Sequence, residues 1–219
     1  MKINVMPSCN QWLQKLAMLI KPIVKPCMGD NEAMKTIIKT HSTTLIMDEL
    51  TLRPTTDDDF DVLLKWNSDP DVLYFSEGDD VDKYGLEDIH YIYGATSQSA
   101  FVFIIERHGQ PIGECWLQEM NIDHVLEKYP NKDLRRIDLM IGAKELWGKG
   151  IGTRVIERLV KFGFESENAD MIFYMPSDYN PRSIKAAEKV GFSLKYKVHD
   201  NDSTKGEYTL IMVMCKEAS

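Results

Sequence analysis

The sequence predicts an α/β protein in which helices flank one central mixed β-sheet. Two observations lead to this fold class. Short apolar runs with strand character alternate along the chain with segments whose apolar residues recur at helical spacing. A glycine-rich turn at 148–152 joins one such run to an amphipathic helical segment. With 219 residues, the chain is long enough to bury one sizeable core.

The main domain is predicted to begin with a short alternating strand at 50–54. A helix then begins at Asp57, because consecutive acidic side chains suit a helix N-terminus and Thr55 or Thr56 can cap it. The apolar residues of its buried side are Phe60, Leu63, Leu64 and Trp66. A second helix is predicted over 86–95.

A hairpin of two strands follows, 101–106 and 111–120, and the polar segment 121–133 is predicted to be an irregular connection. The strand at 134–141 then enters the glycine-rich turn. The helix after the turn has an apolar stripe formed by Val155, Ile156, Leu159, Val160 and Phe164. The remaining predicted elements are a buried strand at 171–175, a short helix ending before Gly191, and two closing strands at 193–200 and 207–215.

The glycine-rich turn has the features of a phosphate-binding site. Gly148, Gly150 and Gly152 carry no side chains that would keep a bulky anion from the backbone. The first amides of the following helix are unpaired at the positive end of its dipole, and Lys149 and Arg154 add positive charge. The pattern matches neither the P-loop nor the dinucleotide fingerprint. The alternative is a turn that only closes a strand–helix junction.

Composition narrows the class of partner. The formal net charge is −8, and the acidic main domain argues against nucleic acid. This charge would favour a cationic substrate, and the alternative is that it only keeps the protein in solution. The four cysteines are scattered without paired spacing, which favours free thiols in a reduced cytoplasmic setting. The five histidines show no ligand spacing, so we expect no metal site.

Residues 1–46 are predicted to be an N-terminal extension of unassigned role, ahead of the main domain at 47–219. The apolar part of this extension is too short to span a bilayer. Polar residues interrupt it, and no convincing cleavage site for a signal peptide follows. A natural start at Met47 is one alternative, and we expect no membrane partner.

Two segments carry a resemblance to a known family. The first is the strand at 134–141 with its glycine-rich turn. The second is the Asn-Pro-Arg-Ser segment 180–183, whose helix closes in Glu-Lys-Val-Gly-Phe at 188–192. In this order and separation, they resemble the GCN5-related N-acetyltransferases (GNAT), over roughly 50–214.

The resemblance implies the acyl-CoA N-acyltransferase fold for 47–219, with a splayed mixed sheet, and transfer of an acetyl group from acetyl-CoA to an amine. Acetyl-CoA is the expected co-substrate. The residues that the resemblance assigns to its binding are Leu139, Met140, Ile141, Trp147, Gly148, Lys149, Gly150, Ile151, Gly152, Thr153, Arg154, Asn180 and Ser183.

Within this superfamily, the segment 136–142 resembles the fourth strand of aminoglycoside 6′-N-acetyltransferases, where an aspartate is the proposed base. By this resemblance Asp138 holds the substrate ammonium and accepts its proton; the alternative is a salt bridge with Arg135 or Arg136. The resemblance and the period-two spacing of the third strand also predict substrate contacts. These candidate residues are Tyr74, Phe75, Glu77, Asp79, Glu114, Trp116 and Asp178.

Two positions depart from the aminoglycoside pattern. Met175 stands where those enzymes have an aspartate that reaches the substrate, and Asp178 is the candidate replacement. Ala187 stands where they often have a tyrosine that protonates the leaving thiolate. Tyr179 or solvent are the candidate acids, so the identity of the general acid stays open.

The predicted function is therefore acetyl transfer to a primary amine, foremost the 6′-amine of an aminoglycoside antibiotic, which would make the protein a resistance enzyme. The enzyme is expected to be a cytoplasmic monomer or homodimer. One alternative acceptor is a protein amino terminus, as in the ribosomal-protein alanine acetyltransferases, and siderophore-type lysines and polyamines are minor options. A non-catalytic acetyl-CoA sensor is the alternative of another class.

Overall fold

The computed structural model describes residues 37–76, 83–200 and 205–216. Its strands form one eight-stranded mixed sheet in the order β1-β2-β3-β4-β5-β6-β8-β7. Only β5 and β6 pair in parallel; every other neighbouring pair in this sheet is antiparallel. The strands are β1 Leu45–Met47, β2 Leu50–Pro54, β3 Ala100–Arg107, β4 Gln110–Glu119, β5 Leu134–Met140, β6 Met171–Tyr174, β7 Ser193–His199 and β8 Tyr208–Cys215.

Six α-helices are described: α1 Phe60–Trp66, α2 Pro70–Ser76, α3 Leu86–Thr96, α4 Asp123–Lys128, α5 Ile151–Glu165 and α6 Pro181–Val190. Together with the sheet they confirm the predicted α/β class. The prediction of an irregular connection at 121–133 is wrong in part, because α4 lies within it. Val125 is the only residue of this short helix that is fully buried, so its sequence shows little helical periodicity.

The helices cover both faces of the sheet. On one face, α5 buries Val155, Ile156 and Leu159 against inward-facing residues of several strands, and α6 contributes Ala187 to the same cluster. On the other face, the cluster that includes Leu63 of α1 and Ile89 of α3 packs on β3 and the end of β5. This second face holds the side chains of the candidate substrate site.

The pairing of β5 with its two neighbours ends at different points. Toward β4, the register continues to the pair Glu114–Met140. Toward β6, it stops at Ile137–Tyr174. The sheet therefore splays after Ile137, and a gap opens beside Asp138, Leu139 and Met140. This gap is the structural basis of the clefts described below.

A strand and a buried residue lie upstream of the predicted domain start at residue 47. Strand β1 begins at Leu45, so the boundary between residues 46 and 47 falls inside it. Upstream, Ile38 is buried in the core and the Lys39 amide donates to Ser97 Oγ at 2.9 Å. The three residues of β1 form a strand because they pair with β2 in a hairpin. The sequence does not reveal this pairing, because it shows only a short apolar run next to acidic residues.

An ion pair joins β2 to the turn that precedes α1. The guanidinium of Arg53 donates to both carboxylate oxygens of Asp59, at 2.8 and 2.7 Å, and to Glu106 at 2.7 Å. Burial opposes ionisation of Asp59, but hydrogen bonds from Arg53 and the Thr56 amide outweigh it and lower the pKa of Asp59. The ionised form is therefore favoured by folding.

We expect Asp59→Asn to lower the free energy of unfolding at neutral pH by about 1–3 kcal/mol, because Arg53 loses a bidentate charged partner. Because folding lowers the pKa of Asp59, its ion pair stabilises the folded state at a pH above the ordinary carboxyl pKa. This stabilisation is lost as the pH falls below about 4. Denaturant unfolding at neutral and acidic pH measures both effects. The exposed Asp58→Asn is the control, and a pH-independent difference would contradict the assignment.

Candidate active site

The gap between β5 and β6 continues into a cleft of about 300 Å³, here called the glycine cleft. The glycine-rich turn, the end of β5 and one face of α6 form its walls. Its lining includes Leu139, Met140, Ile141, Trp147, Gly148, Gly150, Ile151, Gly152, Thr153, Asn180, Arg182, Ser183, Lys185 and Lys189. Most of the residues predicted to bind acetyl-CoA thus meet in one place.

The backbone of the turn leaves its amides available. Gly148 and Gly150 adopt left-handed φ values of 74° and 78°, and a Cβ atom built on either would meet nothing within 4 Å. The first backbone hydrogen bond of α5 is donated by Arg154 to Gly150 O at 3.2 Å. Within the described chain, the three preceding amides have no backbone partner, so they can receive an anion.

Two of the predicted phosphate ligands lie elsewhere. Arg154 donates to Glu49 Oε1 at 2.6 Å, and this hydrogen bond lowers the pKa of Glu49 to about 2. Its guanidinium is therefore engaged with the β1–β2 turn, and neither Arg154 nor Lys149 lines the cleft. The cations that do line it are Arg182, Lys185 and Lys189 of α6.

Arg182 was not predicted as a site residue. Its guanidinium carbon lies 4.3 Å from the ring centre of Phe75 and 4.2 Å from that of Trp147. The Trp147 indole is itself fixed, because its N–H donates to Ile141 O at 2.6 Å. The three side chains come from α2, the turn and α6, so sequence spacing alone could not bring them together. The available signal was an arginine at the second position of α6, a helix that the resemblance places beside the glycine-rich turn.

A second pocket of about 180 Å³ adjoins the glycine cleft on the other side of the gap and is called the carboxylate pocket. Glu114 and Trp116 of β4 and Asp138 of β5 line it. The Trp116 indole N–H donates to Glu114 Oε2 at 3.0 Å, and Glu114 itself is buried. The pocket therefore presents two carboxyl groups between aromatic walls.

Asp138 is held by two neighbours. Its Oδ2 accepts hydrogen bonds from Gln118 Nε2 at 2.6 Å and from Arg136 Nε at 2.9 Å. The predicted alternative, a salt bridge with Arg136, is thus formed. About a third of the Asp138 side chain stays exposed, and no described residue bonds to Oδ1. One carboxylate oxygen is fixed and the other is open to the pocket.

Residues from β6 and α6 line both cavities. Asn180 caps α6, because its Oδ1 accepts from the Ser183 amide at 3.2 Å. The hydroxyl groups of Tyr174 and Ser183 lie 2.8 Å apart. Burial raises the pKa of Tyr174 to about 12. Tyr174 was not predicted as a site residue, and its position at the end of a buried strand was the only signal.

The family model for the acetyltransferase (GNAT) domain matches residues 49–193 of this chain. The chain belongs to the GNAT family. It is an acetyl-CoA-dependent N-acetyltransferase, with the mixed α/β fold that the family shares.

Relatives of this GNAT enzyme include aminoglycoside acetyltransferases. Aminoglycoside N(6′)-acetyltransferase type 1 of Klebsiella pneumoniae is 27% identical over 150 residues, 66% of this chain and 74% of that protein. The uncharacterized N-acetyltransferase p20 of Bacillus licheniformis is 26% identical over 168 residues, 74% of this chain and 89% of that protein. The structure of AAC(6′)-Ib with ribostamycin and coenzyme A superimposes with a TM-score of 0.66 at 26% identity, covering 77% of this chain and 94% of that one.

The glycine cleft fits the coenzyme A portion of acetyl-CoA. Free amides and the α5 dipole suit its pyrophosphate, and the cations on α6 suit its phosphate charges. The mostly apolar walls near Leu139 and Leu146 suit the pantetheine arm. When bound, acetyl-CoA supplies an activated acyl group.

Two predicted substrate contacts, Tyr74 and Asp178, do not line the carboxylate pocket, and neither does the candidate acid Tyr179. Tyr74 is exposed on α2 and packs under Lys205, whose Nζ lies 3.8 Å from its ring centre. The carboxylate of Asp178 accepts from the Glu207 amide at 3.3 Å and so faces the β7–β8 connection. Tyr179 lies beside Tyr74 and lines neither cavity. Phe75, Glu114 and Trp116 do line the pocket, whereas the predicted contacts Glu77 and Asp79 lie outside the described residues.

Two further features concern the part of the chain that the structure describes. It holds no group of three or more His, Cys, Asp or Glu side chains arranged for a metal ion. It also contains no helix long and apolar enough to cross a membrane.

We expect Gly150→Ala to weaken coenzyme A binding about tenfold or more, because a methyl group enters the space before the helix amides. The left-handed φ adds a stability cost of about 1–2 kcal/mol. Gly109→Ala is the matched control, since Gly109 has φ 75° and open space around it in the β3–β4 turn. Calorimetry with coenzyme A should separate the two variants, and equal affinities would contradict the assignment of the turn.

Proposed function

We propose that this enzyme acetylates the 6′-amine of an aminoglycoside, with Asp138 as the base, and thereby confers antibiotic resistance. The observation that carries the proposal is a pocket with two carboxyl groups, Glu114 and Asp138, directly beside the cleft for acetyl-CoA. The names of the relatives support the acceptor class, because the Klebsiella pneumoniae protein and AAC(6′)-Ib are both aminoglycoside acetyltransferases.

The pocket selects for a cation on physical grounds. Carboxylates in a partly dehydrated site attract an ammonium group more strongly than they would in water. Tyr93 and Trp116, whose ring centres lie 5.7 Å apart in an edge-to-face arrangement, add aromatic surface that a cation or a sugar face can contact. The limited volume favours one ring of a substrate inside the pocket, with the rest of the molecule outside.

Asp138 has the arrangement of a base for the attacking amine. Its Oδ2 is fixed by Gln118 and Arg136, so Oδ1 can accept a hydrogen bond from the ammonium. The proton passes to this oxygen, and the lone pair that it leaves on nitrogen then attacks the acyl carbon. The hydrogen bond from the buried Arg136 to Oδ2 also holds the carboxylate in this orientation before the substrate binds.

Acyl transfer also requires stabilisation of the acyl oxygen, and the splayed end of β5 is the proposed source. Developing negative charge on the acyl oxygen needs hydrogen-bond donors held in place beforehand. After Ile137, the side of β5 that faces β6 has no strand partner, and its main-chain groups face the gap instead. These groups, rather than a metal, are the proposed stabilisers of the oxyanion.

The acceptor is tested by following thiol release from acetyl-CoA with kanamycin, tobramycin, neomycin, spermine, lysine and an alanine-initiated peptide. We expect turnover with the aminoglycosides, and acetylation of the 6′-amine in the product, as determined by NMR. Expression should also protect a susceptible host. Turnover with only the peptide would overturn the aminoglycoside assignment.

Asp138→Asn should lower kcat/KM for the preferred amine by roughly 10²- to 10⁴-fold, the range for a general base. Coenzyme A affinity should stay close to wild type, because the side chain lines the carboxylate pocket and not the glycine cleft. Asp133→Asn, near the start of the same strand and paired with Arg135, is the control. An Asp138→Asn enzyme with wild-type turnover at every pH would remove this residue from the mechanism.

A further inference from the structure

The glycine cleft and the carboxylate pocket share one section of wall. Among the residues that line both are three with hydroxyl groups: Ser76, Tyr174 and Ser183. An acetyl group that passes from a donor in the cleft to an amine in the pocket must cross this section. The sulfur atom from which the acetyl group departs therefore has to come close to it.

Only two of these hydroxyl groups are suitably placed. Ser76 Oγ bonds to Val72 O at 3.3 Å, within its own helix. Tyr174 and Ser183 bond to each other at 2.8 Å, and neither oxygen has another hydrogen-bond partner among the described residues. Each hydroxyl has one proton to donate, and a single mutual bond uses only one of the two. The pair therefore retains one unused donor at the junction of the two cavities.

We propose that the Tyr174–Ser183 pair donates this hydrogen bond to the sulfur of coenzyme A and stabilises the thiolate as it leaves. Attack by the amine forms the C–N bond, and collapse of the tetrahedral intermediate breaks the C–S bond, with the electron pair going to sulfur. The base has already taken one proton from the ammonium, so the surplus proton that remains on nitrogen passes to solvent as the intermediate collapses. The inference rests on acetyl-CoA use and not on the identity of the acceptor.

The pair acts as a hydrogen-bond donor and not as a proton donor. The pKa of Tyr174 is about 12 because the phenol is buried, so it stays protonated at physiological pH. A thiol has an ordinary pKa of about 8.5, which makes full transfer from this tyrosine to the thiolate unfavourable. A hydrogen bond to a charged acceptor stabilises the thiolate without that transfer.

The other hydroxyl groups on the loop before α6 do not lie at this junction, because Ser177 lines only the carboxylate pocket and Tyr179 lines neither cavity. Ala187 is buried and has no polar group, and Tyr179 packs against Tyr74 outside both cavities. Ser183 is fixed from two sides, because its amide bonds to Asn180 Oδ1 and its hydroxyl to Tyr174. The donor is therefore positioned before the co-substrate binds.

The test measures the pKa of the coenzyme A thiol in its complex with the enzyme, without any acceptor amine. Ultraviolet absorbance of the thiolate is followed against pH, with desulfo-coenzyme A as the blank. We expect a bound-thiol pKa below that of free coenzyme A in the wild type, and a value raised by about 1–2 units in Tyr174→Phe and in Ser183→Ala. Ser183→Thr, which keeps a hydroxyl, should restore much of the shift.

Tyr208→Phe, on β8 and outside both cavities, is the control for loss of a phenol. In single-turnover assays, Tyr174→Phe should slow acetyl transfer about tenfold or more while the KM for acetyl-CoA changes little. Equal bound-thiol pKa values in the wild type and both variants would overturn the proposal. Loss of coenzyme A binding in both variants would also overturn it, because the pair would then only shape the cleft. Neither result depends on which amine the enzyme uses.

Discussion

The function of this molecule depends on one interruption in its sheet. The parallel pairing of β5 and β6 ends at Ile137 and Tyr174, although β5 stays paired with β4 as far as Met140. A continuous sheet would use the main-chain groups of residues 138–140 for its own hydrogen bonds. Because the pairing stops, a cleft and a pocket meet at the gap, and an acyl donor and an acceptor can approach from opposite sides.

The charges around the gap differ between the two cavities. The carboxylate pocket has carboxyl groups, and the glycine cleft has helix amides and the cations of α6. A buried Arg136 would be costly without a counter-ion, and Asp138 provides one while still exposing an oxygen. In the glycine cleft, the guanidinium of Arg182 lies over the rings of both Phe75 and Trp147, so its charge is oriented by contacts that need no carboxylate partner.

Much of the fold and of the donor site could be predicted from the sequence, because both depend on local patterns. Periodicity located most strands and helices, and the alternate glycines located the turn. What the sequence could not supply were contacts between distant segments. Arg154 was expected at the phosphate site, but Glu49, over a hundred positions away, holds it. Tyr174 and Arg182 acquire their positions only when β6, α6 and α2 come together, and Asp178 is turned away by the β7–β8 connection.

The central claim is that the free amides of the glycine-rich turn and the splayed end of β5 bind coenzyme A. Amide hydrogen exchange followed by NMR, with and without coenzyme A, tests it most directly. The account predicts slower exchange on binding at 148–153 and 138–141, and little change in the β3–β4 hairpin turn. Binding that leaves the exchange of these two segments unchanged, or that protects a different part of the sheet, would contradict it.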